Sequence, residues 1–136
     1  MKIFFEKIEI ESSKRFDFIK LDSQVEKIIK ESGVKEGTVF LFCPHTTAAL
    51  VCNEADPTIH QDFEKVFNKL VPEDLAFEHI MEGVANARAH QLAMILGNTI
   101  LALIKSGKLN LGTWQSLFFV ELLEPRKRKI QLLILG

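Results

Sequence analysis

From Thr99 to Leu135 strand follows strand with only short turns between them, and this constrains the fold more than any other feature of the chain. Thr99 to Ile104 is β-branched and apolar, Ser106-Gly107 interrupts it, and a long apolar run follows from Leu109 to Leu123. Glu124-Pro125 supplies another turn, and Lys129 to Leu135 forms the last strand. The pattern predicts an antiparallel meander and lacks the strand-helix-strand rhythm of a Rossmann sheet.

The first half mixes both element types. Ile8 and Ile10 alternate with Glu9 and Glu11, Ser12-Ser13-Lys14 reads as a turn, and a second strand runs from Arg15 to Leu21, so an opening hairpin is expected. Ser23 with Glu26 makes a capping box for a short helix with Val25, Ile28 and Ile29 as its apolar stripe and Gly33 as its stop. Thr38 to Phe42 reads as a buried strand. Asp56-Pro57 is an N-cap followed by proline at the first helical position, and Ile59, Phe63, Val66, Phe67 and Leu70 recur at helical spacing. A further helix is expected from Asn86 to Gly97, with Ala89, Leu92, Ala93 and Leu96 inward and Asn86 and His90 sharing one side. Residues 1–136 therefore predict one α+β domain, a β-sandwich of largely antiparallel strands flanked by a few helices.

Composition narrows the function classes. Lys plus Arg number 17 against 18 Asp plus Glu, a net charge of −1, which does not describe a nucleic-acid-binding surface. Charge interrupts Met-Lys-Ile-Phe-Phe-Glu-Lys too early for a secretory signal, and no stretch approaches the roughly 20 apolar residues of a membrane span, so a cytoplasmic location without membrane contact is expected. Cys43 and Cys52 are too few for a disulfide framework, and the absence of Tyr removes phenolic acid-base chemistry.

Polar, chemically capable residues interrupt apolar patterns in three places: Cys43 to Glu54, Asn86 to His90 and Leu111 to Gln115. His45, His79 and His90 are candidate metal or phosphate ligands, because three imidazoles with one open position suit catalytic zinc. Their spacing matches no local template such as H-E-x-x-H, and surface or hydrogen-bonded core histidines stand as the alternative. His60 falls off the apolar stripe of its helix and reads as solvent-facing. Glu54 could act as a general base, bind metal or complement a helix dipole. Glu121 lies inside an apolar run, either as an edge-facing charge or as a functional one. Thr46, Thr47, Asn53 and Asn86 could donate to a phosphate or serve as turn and cap residues. Arg126, Lys127, Arg128 and Lys129 form the one basic cluster, able to hold a phosphate group but equally a solvated hairpin tip. Cys43 could be a nucleophile or a ligand, or a buried inert thiol. Trp114 could stack on a heteroaromatic ring or simply pack. Gly107 and Gly112 do not form a phosphate-cradling loop.

Taken together, His45-Thr46-Thr47-Ala48, Asn53-Glu54, Asp56, Asp62, His79, Asn86, Ala89-His90, Gly97, Leu111-Gly112-Thr113-Trp114-Gln115, Glu121 and Pro125-Arg126 resemble the YjbQ-type family, catalogued as uncharacterised protein family 0047. The resemblance spans essentially the whole chain. It implies a compact α+β homotrimer with a pocket near subunit contacts, and an activity of the secondary thiamine-phosphate synthase type on small phosphorylated metabolites. Carried onto this chain, it implies a metal or anion site of His45, His79 and His90. Glu54, His45 and His90 would be catalytic, and Thr46, Thr47, Asn53, Asn86, Gln115, Glu121 and Arg126 would contact substrate. The implied cofactor is a divalent metal: zinc, or magnesium with a diphosphate substrate. Two departures stand out: Glu121-Leu122-Leu123-Glu124-Pro125-Arg126 replaces the usual E-x-D-G-P-R, and Asn98 replaces a serine. A metal-dependent hydrolase of a small phosphorylated metabolite and a non-catalytic trimeric anion-binding protein are the alternative readings.

Overall fold

The structure is a computed structural model that describes residues 1–136. Its strands are β1 (Ile3–Glu11), β2 (Asp17–Lys20), β3 (Gly37–Phe42), β4 (Ala48–Asn53), β5 (Thr99–Lys105), β6 (Lys108–Asn110), β7 (Ser116–Glu121) and β8 (Lys127–Leu135), and its helices are α1 (Asp22–Ser32), α2 (Pro57–Leu70) and α3 (Val84–Leu96). One sheet has the order β1-β8-β3-β5-β6 and the other β2-β7-β4, and every strand pairing is antiparallel. The α+β architecture expected from the sequence is the one observed.

The connectivity differs from the expected meander and opening hairpin. Leu109 to Leu123 is not one strand: β6 ends at Asn110 in the larger sheet, Leu111 to Gln115 turns, and β7 forms the centre of the smaller sheet. β8 then returns to the larger sheet between β1 and β3. β1 and β2 likewise enter different sheets, through a turn in which Phe16 takes a left-handed φ of 55°. Periodicity specifies which face of a strand is apolar but not which strand lies beside it. All six residues of β7 are buried, because one face meets the larger sheet and the other meets the helices, so its sequence is continuously apolar rather than alternating.

Two apolar cores result. Ile8, Ile10, Val39, Leu41, Ile130, Leu132 and Ile134 of the larger sheet meet Leu50, Leu117 and Phe119 of the smaller one, and α1 closes this layer with Val25, Ile28 and Ile29. On the opposite face of the smaller sheet, Ala49, Phe118 and Val120 pack against Phe67, Ala89 and Leu92 of α2 and α3. Gly33 ends α1 at a φ of 74°, as expected of a left-handed cap. The Ser23–Glu26 capping box does not form; Glu26 instead accepts from the Leu109 amide at 3.0 Å, a tertiary contact that overrides the local motif. Asp56 does cap α2, accepting from the Thr58 amide at 2.8 Å. The α2 stripe is only partly covered, since Val66 and Leu70 remain exposed.

Candidate functional site

β4 determines which candidate residues can meet. Its first residue, Ala48, pairs with Glu121, and its last, Asn53, pairs with Ser116. At about 3.4 Å per residue, those ends lie roughly 17 Å apart along the strand. His45, Thr46, Thr47 and Glu121 belong to the first end, whereas Asn53, Glu54 and Gln115 belong to the second. At the second end the polar groups serve local turns: Asn53 Oδ1 accepts from the Glu54 amide at 2.7 Å, and Gln115 Oε1 accepts from the Gly112 amide at 2.8 Å.

At the first end, β3 pairs with β8 only as far as Phe42 opposite Gln131. The imidazole of His45 occupies the backbone edge just beyond, with Nε2 at 2.9 Å from the Lys129 carbonyl and 3.0 Å from its amide. Whichever tautomer is present, Nε2 is committed to β8 and Nδ1 is the nitrogen left for other partners. Burial, followed by the nearby Arg128 guanidinium, lowers the pKa of His45 and favours the neutral ring.

His90 faces His45 across a concavity of about 510 Å³, whose walls also include Thr46, Met94 and Asn98. On its other side His90 lines a second hollow of about 360 Å³ with Phe77, Glu78, His79 and Gln91. The His79 and His90 rings meet edge to face at 4.9 Å between centroids. Packing thus brings His79, which lies outside any helix or strand, to the site that His90 occupies. Asn86, one turn earlier on α3, is buried and donates to Glu82 Oε2 at 3.4 Å.

A three-histidine metal centre does not fit one chain. No three His, Cys, Asp or Glu side chains of the chain converge. The chain itself brings together two imidazoles, those of His79 and His90.

Behind His45 lies a buried ion pair between Glu121 and Arg128. The basic cluster suggests a phosphate contact or a solvated hairpin tip for Arg128, and the structure shows neither: the side chain is buried, with Nε at 2.9 Å from Glu121 Oε1 and Nη2 at 2.6 Å from Oε2. Its Nη2 also reaches Thr47 Oγ1 at 3.0 Å. Glu121 is completely buried, and its remaining bonds come from Ser12 Oγ at 2.7 Å and the Leu123 amide at 3.2 Å. Each carboxylate oxygen therefore accepts two hydrogen bonds, and none points to the concavity unpaired. Because Arg128 belongs to β8 and Glu121 to β7, the pair joins the two sheets and holds Thr47, two residues after His45. The missed signal was strand phase, since Arg128 alternates in step with Ile130, Leu132 and Ile134.

His60 is not solvent-facing: its ring stacks on Phe18 at 4.2 Å and meets Phe118 edge-on at 4.9 Å, and burial lowers its pKa. Arg88, unremarked in the sequence, is buried and ties α3 to the end of α2 through Val71 O at 2.6 Å and Asn68 Oδ1 at 2.7 Å. Arg126 is at the surface, paired with Glu124 at 2.7 Å. Cys43 is buried, and desolvation raises its pKa, which favours the unreactive thiol. Trp114 is 73% exposed on the turn before β7.

Known proteins share both sequence and fold. A family model described as UPF0047 protein YjbQ-like matches residues 6–136. The UPF0047 protein YugU of Bacillus subtilis is 33% identical over 95% of this chain and 97% of its own length, and a UPF0047 protein of Archaeoglobus fulgidus is 37% identical over 90% and 94%. A solved structure of a YbjQ-like protein of unknown function from Sulfolobus solfataricus superposes with a TM-score of 0.92 at 34% identity, covering 99% of this chain and 98% of that one. Another, an uncharacterized protein of the yjbq/upf0047 family from Clostridium acetobutylicum, gives 0.89 at 37% identity, covering 96% and 99%. The sandwich that carries the His45–His90 concavity is thus one these proteins share, and the chain belongs to the YjbQ-like UPF0047 family.

Proposed function

We propose that the concavity between His45 and His90 binds a small phosphorylated metabolite, and that the reaction served is a transfer of the secondary thiamine-phosphate synthase type. The supporting observation is that His45 and His90 wall one hollow together with the polar side chains of Thr46 and Asn98. In the reaction, a ring nitrogen of a thiazole phosphate bonds to the methylene carbon of a hydroxymethylpyrimidine diphosphate as the carbon–oxygen bond breaks and pyrophosphate leaves. What a protein must supply is hydrogen-bond donors to the departing oxyanion and a fixed approach of the two rings. The side chains of His90, Thr46 and Asn98 are suitable donors, while Lys129 fixes the ring of His45.

Glu54 and Gln115 lie too far along β4 to act beside the His45 of their own chain, so a catalytic part for Glu54 calls for a neighbouring subunit. Self-association as a homotrimer is supported by the outward face of the larger sheet, where Phe5, Leu133, Phe40 and Leu101 follow one another across four strands. Phe5 and Leu101 are more than half exposed, an apolar row unusual for a monomer's surface. A divalent ion would be held by His79 and His90, with further donors from the ligand's phosphate oxygens or from that neighbour. A hydrolase built on zinc-bound water requires three protein donors, so it is the less supported reading.

Incubating purified protein with both phosphorylated rings tests the reading. Thiamine phosphate and pyrophosphate should form in equal amounts with the wild type and not with His45→Ala/His90→Ala. Equal yields from the two proteins would refute the assignment.

A further inference from the structure

Another concavity is larger than the one between the histidines. It has a volume of about 660 Å³ and lies against β1 and β8, with His45 as part of its wall. His45 therefore borders both this trough and the concavity it shares with His90.

The trough also accounts for the basic cluster, whose four members have different fates. Arg128 points inward and is neutralised by Glu121, and Arg126 pairs with Glu124 on the turn. Lys127 and Lys129 alternate to the outer face of β8 and line the trough, joined there by Lys7 from β1. Glu11 and Glu9 stand opposite Lys127 and Lys129 in register, yet none of the three lysines forms an ion pair. The backbone of Lys129 is also the group that His45 grips, so the basic wall and the histidine are built on one residue.

We infer that this trough is the subsite for a second phosphate group, and that the ligand is a diphosphate or doubly phosphorylated molecule lying across His45, with Lys127 and Lys129 as the residues that select it. The inference rests on the proposed reading of the His45–His90 concavity and adds the place of the ligand's second phosphate and the residues that read it. Glu9 and Glu11 border the same trough and weaken its net field. Selection therefore comes from short-range contact with the ammonium groups: a single phosphate at the histidines leaves them untouched, whereas a second phosphate reaches them.

The test titrates orthophosphate and pyrophosphate, separately, into three proteins: wild type, Lys127→Met/Lys129→Met, and Lys105→Met/Lys108→Met. The last pair removes the same charge from exposed positions on β5 and β6, toward the opposite edge of the sheet from β1. Affinities come from calorimetry, and the imidazole resonances of His45 and His90 report where binding occurs. With two added lysine contacts, pyrophosphate should bind the wild type roughly 10-fold more tightly than orthophosphate. That preference should vanish in Lys127→Met/Lys129→Met and persist in Lys105→Met/Lys108→Met, with orthophosphate binding alike in all three. A preference that survives the first substitution, or falls equally in both, overturns the inference and leaves the histidine site standing. If neither anion perturbs His45 and His90, the histidine reading fails and the inference fails with it.

Discussion

Glu121–Arg128 and His79–His90 are both close pairs of titratable side chains, but their surroundings give them opposite roles. The first pair is buried and saturated: every carboxylate oxygen of Glu121 accepts two hydrogen bonds, and the guanidinium is held by Glu121 and Thr47. The second borders open hollows, its members touching edge to face with no hydrogen bond between the rings. A buried charge whose hydrogen bonds are complete has nothing left to offer a ligand, while a ring that borders solvent keeps its nitrogens available. The buried pair is therefore the frame, and the exposed one is the site.

That contrast breaks most readily at the buried pair. Arg128→Met leaves the Glu121 carboxylate uncompensated and should destabilise the fold by about 3–5 kcal/mol in urea denaturation. Glu121→Leu/Arg128→Met removes both charges and should recover most of that loss; a double variant as unstable as the single one would mean that packing, not charge, dominates. A second large effect is expected at the outer sheet face, where Phe40→Lys/Leu101→Lys should convert the proposed trimer to monomers in sedimentation, with the fold retained. His90→Ala removes a half-buried ring that packs on His79 and should cost about 1 kcal/mol of stability. It should also weaken phosphate binding by about 1.5–3 kcal/mol, the range for hydrogen bonds to charged groups.

The smallest effect is the dependence of stability on pH. Folding lowers the pKa of both His45 and His60 below the usual 6.5, so beneath that value the unfolded chain binds more protons than the folded one. Their contribution is present above pH 6.5 and is lost as the pH falls through the lowered values. His60→Phe keeps the stacking on Phe18 and should flatten the decline between pH 7 and 5. An unchanged slope would assign the dependence to other groups.

What could be read from the sequence was mostly local. The Asp56-Pro57 cap and the Gly33 stop depend on neighbouring residues alone and formed as expected. The sheet order depends on which strands meet, and the continuous apolar pattern through Leu123 concealed a change of sheet at Leu111 to Gln115. Ser23–Glu26 failed because a distant amide, that of Leu109, competed for the carboxylate. At the site, His45 and His90 stood out as polar residues within apolar patterns, but the turn carrying His79 has no periodicity from which its approach to His90 could be read. Arg128 is legible in the sequence: one basic residue in phase with three core residues signals a buried charge, and a buried charge calls for a partner such as Glu121.

The most direct test follows the side-chain resonances of the wild-type protein during a titration with orthophosphate near neutral pH. The imidazoles of His79 and His90, and that of His45 across the concavity, should shift together and saturate, while the Arg128 Nε–H signal and the His60 ring stay in place. If these three imidazoles stay unmoved, or Arg128 or His60 responds in their stead, the division into a frame and a site is wrong.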